Sequence, residues 1–375
     1  MKKILYLVTE DWYFWSHRRL LAEEAIKTGY EVTLVTKSGE YYERIKSIGV
    51  NIIPIDIVRA IASPIQELKT LTKLISIYKE VSPDLVHHVS LKPVLMGSIA
   101  AWFSKVPKVV NAYTGLGYIF ISTSWSSRIF LTFIVPVLSL LFKRKNFFSI
   151  VQNNDDAGLL ENKGLIKPGK YMLIPGSGVE MDEFAYTPEQ TGDLPVVLFA
   201  SRLLVDKGLY DFIEACRLLK NDGVLAKCVL AGDIDSENPT SIKSEELNAW
   251  IENNIVEWWG YREDMYDVIR KSNIVCLPSY REGLPKILLE AASVGRAIVT
   301  TDVPGCRDCV VNGKNGLIVP VEDPVKLAKA IQQLIDEPET RKQMGKAGHE
   351  IINDSFDMNT VNNQTIALYN TLLSD

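Results

Sequence analysis

IPGSGVEMDEFAYTPEQTGDLPVVLFAS, residues 174–201, ends one alternation of strands and helices and starts another. Upstream, short aliphatic runs bounded by turn residues read as strands: KILYLVT (3–9), YEVTLVT (30–36), DLVHHV (84–89), PKVVNAY (107–113) and FFSIVQ (147–152). Helical patterns such as HRRLLAEEAIKTG (17–29) separate them. Downstream, PVVLFAS (195–201), CVLAG (228–232), VEWWG (256–260), IVCLPS (274–279) and AIVTTD (297–302) repeat the theme, with helices predicted from Leu209, Leu247, Met265 and Pro285. Strands alternating with helices indicate parallel sheets with crossover helices. The Gly/Pro/acid-rich interruption therefore predicts two doubly wound α/β domains, 1–185 and 195–355, followed by a tail, 356–375, whose FDMNTVNNQTIALYNTLL forms a last helix returning to the first domain.

A chain of 375 residues, 47% hydrophobic and 23% charged, is too long for one typical core and too apolar for disorder. The net charge of −5 provides no general field for nucleic acid, so a phosphate-bearing ligand needs local cations. Five cysteines, at 216, 228, 276, 306 and 309, are an odd number scattered through apolar stretches, as expected in a reducing compartment. MKKILYLVTEDW meets Glu10 and Asp11 before a signal-like apolar region develops, so it reads as a first strand and the protein is expected in the cytoplasm.

YIFISTSWSSRIFLTFIVPVLSLLFKRKNFF (118–148) is the most apolar segment, but Arg128 and Pro136 interrupt it, and its charge-free part, Ile129 to Phe142, falls short of the ~20 residues a bilayer span needs. Two readings stay open. Residues 119–145 form an interfacial helix whose Lys143, Arg144 and Lys145 meet an anionic membrane, or an ordinary core helix with basic residues at its C-terminal end.

Ligands of open α/β sheets sit outside the carboxyl ends of the strands, and two such domains facing each other would put a site in a cleft between them. PSYREGLPKILLEAASVG (278–295) reads as strand, turn and helix, with Pro285 in the first helical turn and the N–H groups of Gly283, Leu284 and Lys286 free to receive an anion. Glu282 precedes this helix and Glu290 lies in its second turn, inside an aliphatic run where an unpaired carboxylate is costly. Eight residues of helix rise ~12 Å, more than either class of glycosidase allows between its two acids. Glu290 is instead expected to accept hydrogen bonds from a vicinal diol such as a ribose, and Glu282 to hold a sugar hydroxyl. In LFASRLLVDKGLYDFIEA (198–215), Arg202 and Lys207 flank one loop and would neutralise a diphosphate.

SRLLVDKG (201–208), REGLPKILLE (281–290) and DVPGCRDCVVNGKNGLIVP (302–320) resemble the nucleotide-binding half of retaining GT-B glycosyltransferases of family 4, through its Arg-x4-Lys-Gly and Glu-x7-Glu elements. DLVHHVSLKP, VVNAYTGLGYIF, FSIVQNNDD and IPGSGVEMDEF resemble first-domain segments of bacterial members that build surface polysaccharide or lipid-carried glycan. The resemblance implies a sugar moved with retention from a nucleotide diphosphate, UDP for preference, to a glycan acceptor, with undecaprenyl diphosphate as the candidate carrier. It implies no cofactor and no metal. Arg202 and Lys207 would bind the diphosphate, Glu290 the ribose, Glu282 the sugar, and Gly260, Tyr261 and Arg262 the base. His87 and His88 end a strand, and the resemblance implies that one of them contacts sugar. Lys92 is a candidate for an acceptor phosphate. The family often has glycines after the first strand, where this chain reads TEDWYFWSHRR; Ser16, His17 and Arg18 are expected to replace them at donor or acceptor.

Other patterns carry less weight. Asp233 and Asp235 have Asp-x-Asp spacing but lie in a polar loop, Cys306 and Cys309 form a lone C-x-x-C, and Gly115 and Gly117 lack the third glycine of a dinucleotide fingerprint. Two rival functions remain: a UDP-sugar 2-epimerase of similar fold, which would need His17, His87 or His88 for proton transfer, and a non-catalytic sugar-nucleotide-binding assembly subunit.

Overall fold

Near-continuous aliphatic strands, rather than alternating ones, dictate sheets covered on both faces. A computed structural model of the protein describes residues 1–58, 63–115, 125–142, 144–189, 194–236 and 238–374. It divides into two units, Met1–Ser177 with Thr360–Asp375, and Gly178–Asn359.

The first unit contains a seven-stranded sheet in the order β3-β2-β1-β4-β5-β6-β7, parallel at every pairing. Its strands are β1 (Lys3–Glu10), β2 (Glu31–Lys37), β3 (Asn51–Pro54), β4 (Leu85–Val89), β5 (Lys108–Tyr113), β6 (Phe147–Val151) and β7 (Tyr171–Leu173). Its helices are α1 (Asp11–Lys27), α2 (Tyr42–Ser47), α3 (Pro64–Val81), α4 (Leu91–Phe103), α5 (Trp125–Phe142) and α6 (Asn154–Asn162). One face of the sheet packs on Leu74, Val94, Ala100 and Leu138, the other on Phe14, Leu21, Ala25 and Tyr369.

The second unit repeats the plan with six parallel strands in the order β10-β9-β8-β11-β12-β13. These are β8 (Val196–Ala200), β9 (Lys227–Ala231), β10 (Glu257–Trp258), β11 (Ile274–Leu277), β12 (Ala297–Thr301) and β13 (Gly316–Val319). The helices are α7 (Leu209–Asn221), α8 (Ser244–Glu252), α9 (Met265–Arg270), α10 (Lys286–Val294), α11 (Cys306–Cys309), α12 (Pro324–Asp336) and α13 (Pro338–Ser355). A last helix, α14 (Met358–Ser374), has its residues from Thr360 onward in the first unit. There Tyr369 is fully buried, and its hydroxyl lies 3.1 Å from that of Tyr6.

In both sheets the strand order reverses beside the first strand, between β1 and β4 and between β8 and β11. Loops leaving the carboxyl ends at such a reversal diverge to opposite faces and open a crevice there.

β1 runs into α1 without a loop, so the helix read from His17 begins earlier, at Asp11, and takes in Ser16, His17 and Arg18, with Arg18 on the buried stripe with Phe14 and Leu21. Two local expectations are corrected. Helix α10 begins at Lys286 and Pro285 is its N-cap, so the Gly283 and Leu284 amides precede the helix and the usable helix amides start at Lys286. Only part of the span from Glu282 to Glu290 is therefore helical, and a helical rise does not give the separation of those acids.

Residues 116–124 and Lys143, part of the proposed interfacial segment, lie outside the described residues, as does Gly117. Helix α5 contains Pro136. Leu138, Leu141 and Phe142 are buried in the core, as the core reading expects, while Val137 and Leu140 are exposed. Among the described residues no helix is long and apolar enough to cross a membrane.

Candidate functional site

Loops after three neighbouring strands of the second unit meet at the carboxyl edge. The loop after β8 turns through Gly208, whose φ of +72° and position 1.9 Å (for an added Cβ) from the Pro278 carbonyl oxygen leave room only for glycine. The loop after β11 is bound to it by two hydrogen bonds to the Asp206 carbonyl, from the Tyr280 amide at 3.0 Å and the Ser279 hydroxyl at 3.1 Å. On its other side the Glu282 amide donates to the Pro304 carbonyl at 3.3 Å. Gly305 approaches so closely that an added Cβ would lie 2.6 Å from the Gly283 carbonyl oxygen. Three rigid loops thus hold one short acidic turn.

Within this frame Lys207 Nζ donates to Glu282 Oε1 at 2.6 Å, with side chains 19% and 11% exposed. The pair bridges the loops of β8 and β11 and so spans the strand-order reversal. Arg202, on the same loop as Lys207, is more exposed and donates to Asp235 Oδ2 at 2.6 Å. One member of the Asp-x-Asp pattern is therefore the arginine's partner. Burial pushes the neighbouring Cys306 thiol up to about 12, with the Glu282 charge adding to the effect, so it stays protonated.

Glu290 is buried at 5% exposure, and Lys286 Nζ, one turn earlier, lies 3.1 Å from its Oε1. This i,i+4 spacing was visible in the sequence as a signal for the partner. Gly260, at φ +71°, accepts from the Gly232 amide at 2.8 Å, Tyr261 is 64% exposed, and Arg262 Nε donates to Asp264 Oδ1 at 2.6 Å.

The first unit places its candidates differently. His88 is enclosed: Nδ1 lies 2.8 Å from Asn111 Oδ1 and Nε2 lies 3.1 Å from the Tyr78 hydroxyl. An added Cβ on Gly97 would stand 2.5 Å from its ring. Burial lowers its pKa to about 4. His87 is also buried and bonds through Nδ1 to the Tyr369 hydroxyl. Burial, followed by the Arg18 charge, holds it well below the ordinary histidine range. Lys92 stands in the first turn of α4, not in a loop, and pairs with Glu67 at 2.7 Å. His17 stacks on Tyr13 at 4.2 Å, and Ser16 Oγ bonds to His17 Nδ1.

Residues 183–351 match the family of glycosyl transferases group 1, and residues 3–151 match a glycosyl transferase 4-like family. Over 358 residues, covering 92% of each chain, the sequence is 28% identical to the N,N'-diacetylbacillosaminyl-diphospho-undecaprenol alpha-1,3-N-acetylgalactosaminyltransferase of Campylobacter jejuni. It is 25% identical to the UDP-Gal:alpha-D-GlcNAc-diphosphoundecaprenol alpha-1,3-galactosyltransferase of Escherichia coli, covering 78% of this chain and 76% of that one. HepE of Anabaena, solved with UDP and glucose, superposes with a TM-score of 0.78 at 19% identity, covering 99% of this chain and 100% of that one. With both units matched to glycosyltransferase families and the parallel double-sheet architecture shared with solved examples, the chain belongs to the GT-B glycosyltransferases of the family 4 type.

Proposed function

We propose that this glycosyltransferase moves a hexosyl or N-acetylhexosaminyl group, with retention, from a UDP-sugar to a hydroxyl of a glycan on a lipid diphosphate carrier. The observation that carries the reading is the Lys207–Glu282 pair at the strand-order reversal, a cation and an acid set side by side in rigid loops. Lys207 and Arg202 offset the diphosphate charge, with the Lys286 amide at the start of α10 as a further donor. Glu290 takes the ribose hydroxyls, Glu282 a hydroxyl of the donor sugar, and Gly260, Tyr261 and Arg262 the base. The departing phosphate helps deprotonate the acceptor, and the cations and amides suffice without a metal. The lipid-diphosphate acceptors named for the Campylobacter and Escherichia relatives support the acceptor class.

Membrane contact belongs to the same proposal. Helix α4 packs on α5, and exposed Trp102, Phe103, Val137 and Leu140 lie on these two helices. Exposed Arg144, with its guanidinium 5.7 Å from the Trp102 ring, and exposed Lys145 follow α5. Aromatic bulk beside cations matches the interface of an anionic bilayer.

The test is transfer from a panel of UDP-sugars to an undecaprenyl-diphosphate saccharide, with EDTA present and the anomeric configuration of the product read by NMR. An α-linked product from an α-linked donor is expected. Inversion, or abolition of transfer by EDTA with rescue by a divalent ion, would reject the mechanism.

A further inference from the structure

Arg18 belongs to α1 but points to the buried side, at 7% exposure. Its Nη1 donates to the His17 carbonyl at 2.9 Å, while Nε is buried with no partner among the described residues. The neighbouring Arg19 reaches Glu23 at 3.9 Å, but among the described residues Arg18 has no acidic partner. An arginine so placed retains its charge, and burying that charge without a counter-ion is costly.

His87 adds a second buried nitrogen without a partner among the described residues, its Nε2. The hydroxyls of Tyr6 and Tyr369 and the Nδ1 of His87 form one chain. If Tyr6 donates to Tyr369 and Tyr369 donates to Nδ1, the proton of neutral His87 is on Nε2 and one orphan donor remains. The reverse order would strand the Tyr6 proton and an Nε2 lone pair together. Minimising unsatisfied groups therefore makes Nε2 an N–H donor. Tyr6 and His87 are register partners on β1 and β4, the strands flanking the reversal in the first sheet. The Arg18 charge acts on both tyrosines as well as on His87.

We propose that Arg18 and His87 Nε2 form a buried subsite for a phosphoryl oxygen of a diphosphate, held ready by Tyr6 and Tyr369. The site is built wholly from residues of the first unit. A diphosphate supplies both the negative charge that Arg18 lacks and the acceptor that Nε2 lacks. The choice of diphosphate as ligand rests on the functional reading above; the need for an anion rests on the two orphan donors alone. The diphosphate is that of the lipid-linked acceptor, since the donor's is assigned above to Arg202 and Lys207.

The experiment compares the full-length protein with Arg18→Gln and Arg18→Lys by thermal shift, titrating inorganic pyrophosphate in the presence of saturating UDP. Wild type should gain a further pyrophosphate-dependent rise, and Arg18→Gln should lose it with at least a tenfold weaker apparent affinity. Without ligand, Arg18→Gln should melt no lower than wild type, since an uncompensated charge has gone. An equal pyrophosphate response in both, or a ligand-free fall of more than about 5 °C, would overturn the proposal and make Arg18 structural. Should Arg18→Gln not fold, Arg18→Lys decides: its KM should rise at least tenfold for the lipid-linked acceptor, and an unchanged acceptor KM rejects the subsite. If no transfer is found with any donor, the Arg18-dependent pyrophosphate response still stands or falls by itself.

Discussion

Lys207 and Glu282, 75 residues apart in the chain, place Nζ and Oε1 2.6 Å apart across the loops of adjacent strands. At 19% and 11% exposure the pair is shielded enough that removing one member leaves the other poorly compensated. Lys207→Met should destabilise by about 1–3 kcal/mol, and Glu282→Gln by less, because the lysine is the more exposed partner. In a double-mutant cycle by urea unfolding, the pair should show a coupling of about 1 kcal/mol or more. Transfer should fall in both variants, with UDP affinity weakened in Lys207→Met and nearly retained in Glu282→Gln. Additive stabilities would show that the contact is incidental; wild-type turnover in Glu282→Gln would remove that acid from the reaction.

Two glycines with nearly equal backbone angles separate conformational strain from collision. Gly208 and Gly223 have φ of +72° and +75°, but an added Cβ meets the Pro278 carbonyl oxygen at 1.9 Å in the first and nothing within 4 Å in the second. Gly223→Ala should therefore cost only the left-handed penalty, about 1 kcal/mol. Gly208→Ala must push the 278–284 loop away, carrying Glu282 with it, and should lower transfer at least tenfold even where the melting point falls by only a few degrees. Equal effects of the two substitutions on transfer would mean that the close approach at Gly208 does not position the site.

The central strands were legible because they are buried on both faces and contain few polar residues. What escaped were sheet edges: NIIP (β3), YML (β7) and GLIV (β13) are short outer strands with weak local signals. At the site, spacing identified Lys207 and Glu282 but could not pair them, since their contact depends on β8 lying beside β11. The Arg202–Asp235 pair also requires tertiary folding, whereas Lys286–Glu290 is a helical neighbour pair and was present in the sequence. The His88 environment was hidden for the first reason, because its two partners, Tyr78 and Asn111, come from α3 and β5.

Glu290 has one polar partner on its own helix and is 5% exposed. Glu290→Gln keeps its shape and removes the charge, so the melting point should shift by no more than a few degrees. A carboxylate gripping a ribose diol makes charge-assisted hydrogen bonds that an amide matches poorly. UDP affinity by calorimetry should therefore fall about tenfold, equivalent to about 1.4 kcal/mol, while uracil-free diphosphate binding should be unchanged. Unaltered UDP affinity would leave Glu290 with only its structural role beside Lys286.

The exposed face of α4 and α5 predicts a surface effect without a core effect. Leu140 is 70% exposed, so Leu140→Asp should leave the melting point nearly unchanged. Placing a carboxylate on the exposed side of α5 should lower binding to phosphatidylglycerol-containing vesicles several-fold in sedimentation assays. Transfer to a water-soluble acceptor should be unaffected. Vesicle binding equal to wild type would move any membrane contact away from this face.

His88 makes stability depend on pH in a defined direction. Its folded pKa, about 4, lies below the unfolded histidine value near 6.5, because burial opposes the charged ring. Between those values the unfolded chain binds the additional proton, so stability is full above about pH 6.5 and declines as pH falls toward 4. The slope from this residue is on the order of 1 kcal/mol per pH unit. His87, held low by burial and by Arg18, acts in the same direction over the same upper boundary. Urea midpoints measured from pH 7.5 to 4.5 should fall steadily below 6.5, and His88→Gln, which retains polar atoms toward Asn111 and Tyr78 without a titrating group, should flatten the curve. Its stability at pH 7.5 should be lower than wild type, so the two curves converge at acid pH. Parallel curves would show that the histidine proton is taken up equally by folded and unfolded chains, contrary to an enclosed neutral ring.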